Sequence, residues 1–187
     1  KLLACTIVVS CDYPRVTTQA AVAFVWLGKT ERKWVIIVVD FPDPRNPEFA
    51  KLFSREYYRR LGSALEVNGV AVVQSTSPIH APKPFRMVGY TREAAGFTTV
   101  PYRVNVPSFG DWGFHLAQKR LVVSREHMWK ILDGYEPRVS ARFLNRDAMQ
   151  AAIRWEKGMW DTGEKRQVSR LARPVIHLAY EKSWDVE

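Results

Sequence analysis

A strand followed by an acidic, proline-rich loop occupies residues 34–47, which read W-V-I-I-V-V-D-F-P-D-P-R-N-P. The apolar β-branched run from Val35 to Val39 shows no alternation, which is typical of a strand buried on both faces. Such strands lie in the middle of parallel sheets, and ligands bind in the crevice beyond their carboxyl ends. Asp40 follows that end and Asp43 lies between two prolines that fix the loop, so both are candidate site residues.

These two carboxylates leave several kinds of chemistry open. Carboxylates at the end of a strand can coordinate a metal ion, accept a proton or bind a cation. Asp43 or Asn46 could instead serve only as the N-cap of the next helix. The residues of the loop do not choose between these possibilities.

The pattern of apolar residues and of glycine and proline predicts an α/β fold. The predicted helices are 20–28, 48–65, 83–95 and 146–155, and the predicted strands are 3–9, 35–39, 70–74, 98–105 and 112–119. The last two strands form an antiparallel hairpin at the edge of a mostly parallel sheet. Gln74 ends the strand at 70–74, so it is expected to face the same crevice as Asp40. Residues 1–120 form the main domain, and residues 121–187 form a helical or irregular extension that includes an apolar segment at 174–180.

Composition limits the possible partners of the chain. The net charge is +9 and the pI is about 9.8. The basic residues are scattered and form no long run, so nucleic acid is not an expected partner, and a basic binding module is the weakest alternative. Cys5 and Cys11 have no zinc-ligand spacing, and no apolar stretch is long enough for a membrane span.

Three segments of the chain resemble the polyamine aminopropyltransferases, the spermidine synthase family. V-D-F-P-D-P-R-N-P-E-F-A-K-L-F-S-R-E-Y-Y is similar to the family's D-x-x-D-P motif and the helix after it. G-V-A-V-V-Q-S-T-S-P resembles the next strand, and V-P-S-F-G-D-W-G-F-H-L-A resembles the closing hairpin. R-F-L-N-R-D-A-M and A-R-P-V-I-H-L-A-Y-E-K-S-W resemble the tail of a bacterial branch that has an N-terminal multispanning membrane region. The resemblance covers about residues 13–184 and is most specific over residues 35–119.

The resemblance implies a Rossmann-like, methyltransferase-type fold that is incomplete at its N-terminus, and aminopropyl transfer from decarboxylated S-adenosylmethionine to putrescine. By position in the motif, Asp40 matches the proton acceptor and Asp43 the residue that anchors the amine. Gln74 lies at the pocket wall, Pro47 near the methylthioadenosine moiety, and Asp111 adds negative charge. The sulfonium is a good leaving group, so neither a metal nor a cofactor beyond the cosubstrate is expected. The resemblance also implies a cytoplasmic domain of a multi-pass membrane protein that can form homo-oligomers.

Departures from the family pattern keep other interpretations open. Val22 stands where the family has an Asp that receives the adenine amino group, and Phe109 replaces a Tyr near the hairpin turn. No G-x-G-x-x-G turn occurs in the chain. A non-catalytic or altered-substrate relative is therefore the first alternative. A methyltransferase of the same fold is the second, although its usual D/N-P-P-Y loop fits Asp43 to Pro47 poorly.

Overall fold

The computed structural model describes residues 14–184, so the strand predicted at 3–9 lies outside the described residues. The helices are α1 (Ala23–Lys29), α2 (Pro47–Ala50), α3 (Arg55–Ala64), α4 (Pro82–Ala94), α5 (Arg125–Asp133), α6 (Arg146–Ile153) and α7 (Val175–Glu181), with a 3-10 turn at Lys51–Phe53. The strands are β1 (Trp34–Val39), β2 (Leu65–Gln74), β3 (Phe97–Val106) and β4 (Gly110–Lys119).

The four strands form one mixed sheet in the order β1-β2-β4-β3. β1 and β2 are parallel, whereas β4 is antiparallel to both β2 and β3. The α/β fold with an antiparallel edge hairpin is therefore confirmed, and one of the three pairings among the described strands is parallel. In the parallel pair Val39 lies opposite Val73. Asp40, directly after β1, and Gln74, the last residue of β2, therefore lie side by side at the same edge of the sheet.

The prediction that the run Val35–Val39 is buried on both faces is wrong. Val35, Ile36 and Val38 are 67%, 65% and 71% exposed. Within residues 14–184, β1 is the outermost strand of the sheet and has β2 as its strand partner on one side. An unbroken apolar run shows that a segment forms a strand, but it does not show whether other strands flank it.

Two element boundaries differ from the prediction because of local backbone requirements. The helix predicted at 48–65 is interrupted at Ser54, which is extended (ψ 154°) and caps α3 by accepting a hydrogen bond from Tyr57 N at 3.2 Å. Asn68-Gly69 is not a turn before the strand but part of β2, which begins at Leu65. There the β1–β2 register shifts, and a Cβ on Gly69 would lie 2.8 Å from the Trp34 carbonyl oxygen, so the close approach requires glycine.

Two apolar clusters cover the sheet. The larger one joins Ala71 and Val73 of β2 to the buried rings of Tyr57 and Tyr58 on α3. The second joins Val100 of β3 to residues of α5 and α6. Helices thus pack on the sheet in layers, which is the usual way for an α/β domain to bury its sheet.

The C-terminal part is more regular than predicted. The helix predicted at 146–155 is present as α6, α5 was not predicted, and the apolar segment at 174–180 forms α7. The Ser169 carbonyl accepts a hydrogen bond from Arg55 N at 2.9 Å, which ties the segment before α7 to the start of α3. Over residues 14–184, no helix combines the length and the apolar character needed to cross a membrane.

Candidate active site

Asp43 is a buried carboxylate held from both sides. Only 8% of the residue is exposed. Gln74 Nε2 donates a hydrogen bond to Asp43 Oδ1 at 2.9 Å, and the Tyr180 hydroxyl donates to Oδ2 at 2.8 Å. The following helix is capped by Asn46, whose Oδ1 accepts from Phe49 N at 2.8 Å. Asp43 is therefore not the N-cap, and its carboxylate is directed towards the end of β2 and towards α7.

Tyr180 is a site residue that the sequence did not reveal. It lies on α7, 137 residues after its partner Asp43. Burial, followed by the hydrogen bond to Asp43, raises the pKa of Tyr180 to about 12. The tail motif H-L-A-Y was visible in the sequence, but no spacing links position 180 to position 43. Only the docking of α7 brings the two together.

The loop after β2 is strained, and it contains buried polar atoms. Thr76 has a φ of 65°, which is unfavourable for a β-branched residue. Among the described residues, Gln74 Oε1 and Thr76 Oγ1 are buried without a hydrogen-bond partner. Two backbone hydrogen bonds to Gly113 hold the loop. Ser75 N donates to the Gly113 carbonyl and Gly113 N donates to the Thr76 carbonyl, both at 2.9 Å. Strain of this kind costs about 1–3 kcal/mol and is concentrated at functional sites. The two buried oxygens are potential acceptors for a bound donor.

The other predicted site residues are placed around this centre. Asp40 is exposed at the end of β1, and Pro47 is the exposed first residue of α2. Asp111 lies on β4, where its backbone carbonyl accepts a hydrogen bond from Ser77 Oγ at 2.9 Å. Its carboxylate is directed to Asn105 Nδ2 at 3.3 Å and to Arg103 Nε at 3.7 Å. The structure thus brings Asp43 and Gln74 into contact, while the Asp111 carboxylate is engaged within the hairpin.

Metal coordination was one possibility for the acidic loop. In the part of the chain that the structure describes, no group of three or more His, Cys, Asp or Glu side chains is arranged to hold a metal ion. The donors on Asp43 are an amide and a hydroxyl. This arrangement fits a carboxylate that binds a hydrogen-bond donor or a cation.

The fold and the acidic strand-end site define a class of protein. The structure is similar to a crystal structure of spermidine synthase from Thermotoga maritima, with a TM-score of 0.61 and 16% identity, over 79% of this chain and 48% of that one. It is also similar to a spermidine synthase solved in complex with the transition-state analogue AdoDATO, with a TM-score of 0.62 and 20% identity, over 79% of this chain and 50% of that one. At this level of identity the likeness establishes the Rossmann-like, methyltransferase-type fold.

Sequence comparison identifies the family. Residues 3–126 match the spermine/spermidine synthase domain, and the chain belongs to that family. It is 42% identical over 109 residues to polyamine aminopropyltransferase 1 of Streptomyces coelicolor, covering 58% of this chain and 20% of that protein. It is 34% identical over 170 residues to the polyamine aminopropyltransferase of Oceanobacillus iheyensis, covering 87% of this chain and 31% of that protein. The chain thus spans about a fifth to a third of the length of these curated relatives.

Proposed function

We propose that the protein carrying this chain transfers an aminopropyl group from decarboxylated S-adenosylmethionine to putrescine, which gives spermidine and methylthioadenosine. The observation that carries the proposal is the buried Asp43 carboxylate, fixed by Gln74 and Tyr180 at the carboxyl end of a strand in a member of this family. The chain as a whole is basic, with a net charge of +9. A dicationic amine therefore needs a local acidic site of this kind.

In this mechanism Asp43 anchors one ammonium group of putrescine. A carboxylate has about four acceptor positions, and Gln74 and Tyr180 occupy two of them, so an ammonium can bind the others. Gln74 Oε1 belongs to the amide that contacts Asp43, and it is buried without a hydrogen-bond partner among the described residues, so it can accept a further ammonium hydrogen. By position in the family motif, Gln74 forms the pocket wall, Pro47 lies near the methylthioadenosine moiety, and Asp111 adds negative charge.

Asp40 is the proton acceptor of the reaction. An alkylamine titrates near pH 10, as lysine does, so the attacking nitrogen must lose a proton before it becomes a nucleophile. Asp40 is exposed at the end of β1, where it can receive that proton from a bound amine. The nitrogen lone pair then forms the new N–C bond, and the C–S bond breaks with its electrons remaining on the sulfur of neutral methylthioadenosine. No metal is needed for this step, because the positively charged sulfonium releases a neutral thioether, which is a good leaving group.

The charge change Asp40→Asn tests this assignment. We expect it to lower aminopropyl transfer by about 10²-fold or more in the natural protein that carries the chain, because the amide cannot accept the proton. Asp161→Asn, at an exposed position outside the loop, is the matched control and should retain full transfer. Transfer by Asp40→Asn at the wild-type rate would contradict the mechanism.

A second candidate, an altered-substrate or non-catalytic relative, is favoured by Val22. This residue replaces the family's adenine-binding Asp, and its side chain is 68% exposed at the N-cap of α1. A wild-type protein that binds methylthioadenosine in a calorimeter but transfers no aminopropyl group would support this candidate over the first.

The placement of the protein in the cell follows the same resemblance. We propose that residues 1–120 carry the transfer chemistry, that residues 121–187 extend it, and that both belong to a cytoplasmic domain of a multi-pass membrane protein. We further propose that the protein forms a homo-oligomer, as soluble members of the family do. Fractionation of cells and light scattering on the purified protein test these two points separately.

A further inference from the structure

The structure contains a cavity that Asp43 does not line. It has a volume of about 230 Å³ and is formed between α4, the β3–β4 hairpin and the segment 125–166. None of Asp40, Asp43, Gln74, Pro47 and Asp111 lines it. We call it the tryptophan pocket, because Trp129, Trp155 and Trp160 line it together with Tyr90.

The walls of the tryptophan pocket are flat aromatic rings held at fixed angles. The rings of Trp155 and Trp160 meet edge to face, with centroids 5.4 Å apart and an interplanar angle of 80°. Phe85 supports both from behind, at 5.3 Å from Trp155 and 5.9 Å from Trp160. Trp160 is 39% exposed, so it lies at the mouth of the pocket. Rings placed in this way offer a planar ligand both stacking and edge contacts.

The charged residues of the pocket are mainly cationic. Arg86, Arg125 and Arg166 line it, against one carboxylate, Glu93. Glu93 is shared, since it pairs with Arg125 and, at 3.6 Å, with Arg166. A guanidinium has five N–H donors, so arginines that share one carboxylate retain donors for a second. Their planar fork favours a carboxylate or a similar anion.

A cationic ligand fits this pocket poorly. Arginines of the chain already lie over three of its rings, with Arg154 at 4.7 Å from the Trp129 centroid, Arg103 at 5.2 Å from Trp155 and Arg166 at 4.9 Å from Tyr90. His115 at the floor adds no positive charge at neutral pH, because burial, followed by Arg92 and Arg125, holds its pKa well below 6.5. Arg154 and Arg103 are themselves paired with Asp133 and Glu156. The excess positive charge of the lining therefore lies at Arg125 and Arg166, which share the single carboxylate of Glu93 and favour an anion, the opposite of the preference of the acidic site at Asp43.

We propose that the tryptophan pocket binds a planar aromatic carboxylate of one or two fused rings, with its ring between Trp129, Trp155 and Trp160 and its carboxylate at Arg125 and Arg166. The cavity lies just below the usual size range of drug-like pockets, which limits the ligand to a small ring system. Both substrates of the proposed transfer reaction carry positive charge, so neither is the anionic ligand of this pocket. The proposal is therefore independent of the transfer reaction.

Isothermal titration calorimetry with two matched probes tests the proposal. The probes are 2-naphthoate and 2-naphthylmethylammonium, which share the ring system and differ in the sign of the charge. We expect 2-naphthoate to bind with a stoichiometry of one per chain and the ammonium to bind at least about tenfold more weakly. Equal or tighter binding of the ammonium, or no heat from 2-naphthoate up to about 1 mM, would overturn it.

Two variants with matched controls locate the binding. Trp160→Ala is expected to weaken 2-naphthoate binding at least about tenfold, because it removes an aromatic wall of the pocket. Arg166→Gln is expected to weaken it about fivefold, because it removes a cation at the mouth of the pocket. Trp184→Ala and Arg142→Gln change exposed residues of the same types outside the pocket and should leave the affinity unchanged. Far-UV circular dichroism checks the fold of each variant, and Arg166→Gln alone still tests the site if Trp160→Ala fails to fold. Equal losses in variants and controls would refute the location.

Discussion

Removal of one oxygen atom from Tyr180 tests whether α7 is fixed to the acidic loop through Asp43. Tyr180→Phe deletes the hydroxyl that donates to Asp43 Oδ2 at 2.8 Å and leaves the ring in place. A hydrogen bond to a charged group contributes about 1.5–3 kcal/mol. Tyr180 is only partly buried, so water can replace part of the lost bond, and we expect a loss of about 1–2 kcal/mol in the free energy of unfolding.

The pH dependence of this loss adds a second, independent measurement. The folded protein holds the phenol proton of Tyr180 up to a pKa of about 12, whereas an unfolded tyrosine releases it near 10. Above pH 10 the unfolded state therefore binds fewer protons than the folded state, and the stabilisation by Tyr180 decreases as the pH rises towards 12. The difference between wild type and Tyr180→Phe should consequently be full at pH 8 and should shrink above pH 10.

Urea unfolding followed by far-UV circular dichroism measures both quantities, and Tyr58→Phe is the matched comparison. Tyr58 is completely buried, and its hydroxyl has no hydrogen-bond partner among the described residues. The same chemical change should therefore stabilise the protein there, by about 1 kcal/mol. If Tyr180→Phe is at least as stable as wild type at pH 8, the hydrogen bond to Asp43 does not hold α7, whereas a destabilised Tyr58→Phe would contradict only the expectation for the unpartnered Tyr58 hydroxyl.

Two further changes test the packing behind the site. As the pH falls below 6.5, an unfolded His115 gains a proton that the folded state excludes, so wild type should lose up to about 1.4 kcal/mol of stability per pH unit. Urea unfolding between pH 7 and pH 5 measures how steeply the free energy of unfolding depends on pH. This slope should be smaller in His115→Gln than in wild type and unchanged in the exposed control His127→Gln. Equal slopes in wild type and both variants would argue against a neutral, buried His115 ring. Gly113→Ala places a Cβ against the Phe85 ring and 2.9 Å from the Thr76 carbonyl oxygen, so it should cost about 1–3 kcal/mol. Gly134→Ala, whose Cβ would meet nothing closer than 3.3 Å, should cost less in the same denaturant titration, and equal costs would show that the loop after β2 can yield.

The elements that the sequence predicted well are those with strong local signals. The run ending at Val39, the glycine-bounded helix α4 and the hairpin around Pro107 to Gly110 are all found at nearly the expected positions. The helix α5 was missed although a signal was present, since Ser124 caps it by accepting from His127 N. The break at Ser54 is of the same kind, because a serine followed by Glu56 in the first turn is a recognisable start of a helix.

Burial and long-range contacts were beyond the reach of local patterns. The exposure of Val35 depends on which strands flank β1, and that is a property of the sheet order. The contact between Tyr180 and Asp43 closes a loop of 137 residues, and no periodicity encodes it. Position in a known motif could place Asp43 at the site, but only the packed structure shows what holds its two oxygens.

The C-terminal segment contributes to both sites of the molecule. Its helix α7 supplies the Tyr180 hydroxyl that donates to Asp43, and residues 125–166 supply three tryptophans and two arginines to the tryptophan pocket. The match to the family domain ends at residue 126, whereas similarity to the Oceanobacillus iheyensis protein extends over 170 residues. A family domain that ends at residue 126 supplies Asp43 and Gln74 but not Tyr180. The donor on the second oxygen of Asp43 therefore lies outside the matched range, and it links the position of this carboxylate to the docking of α7.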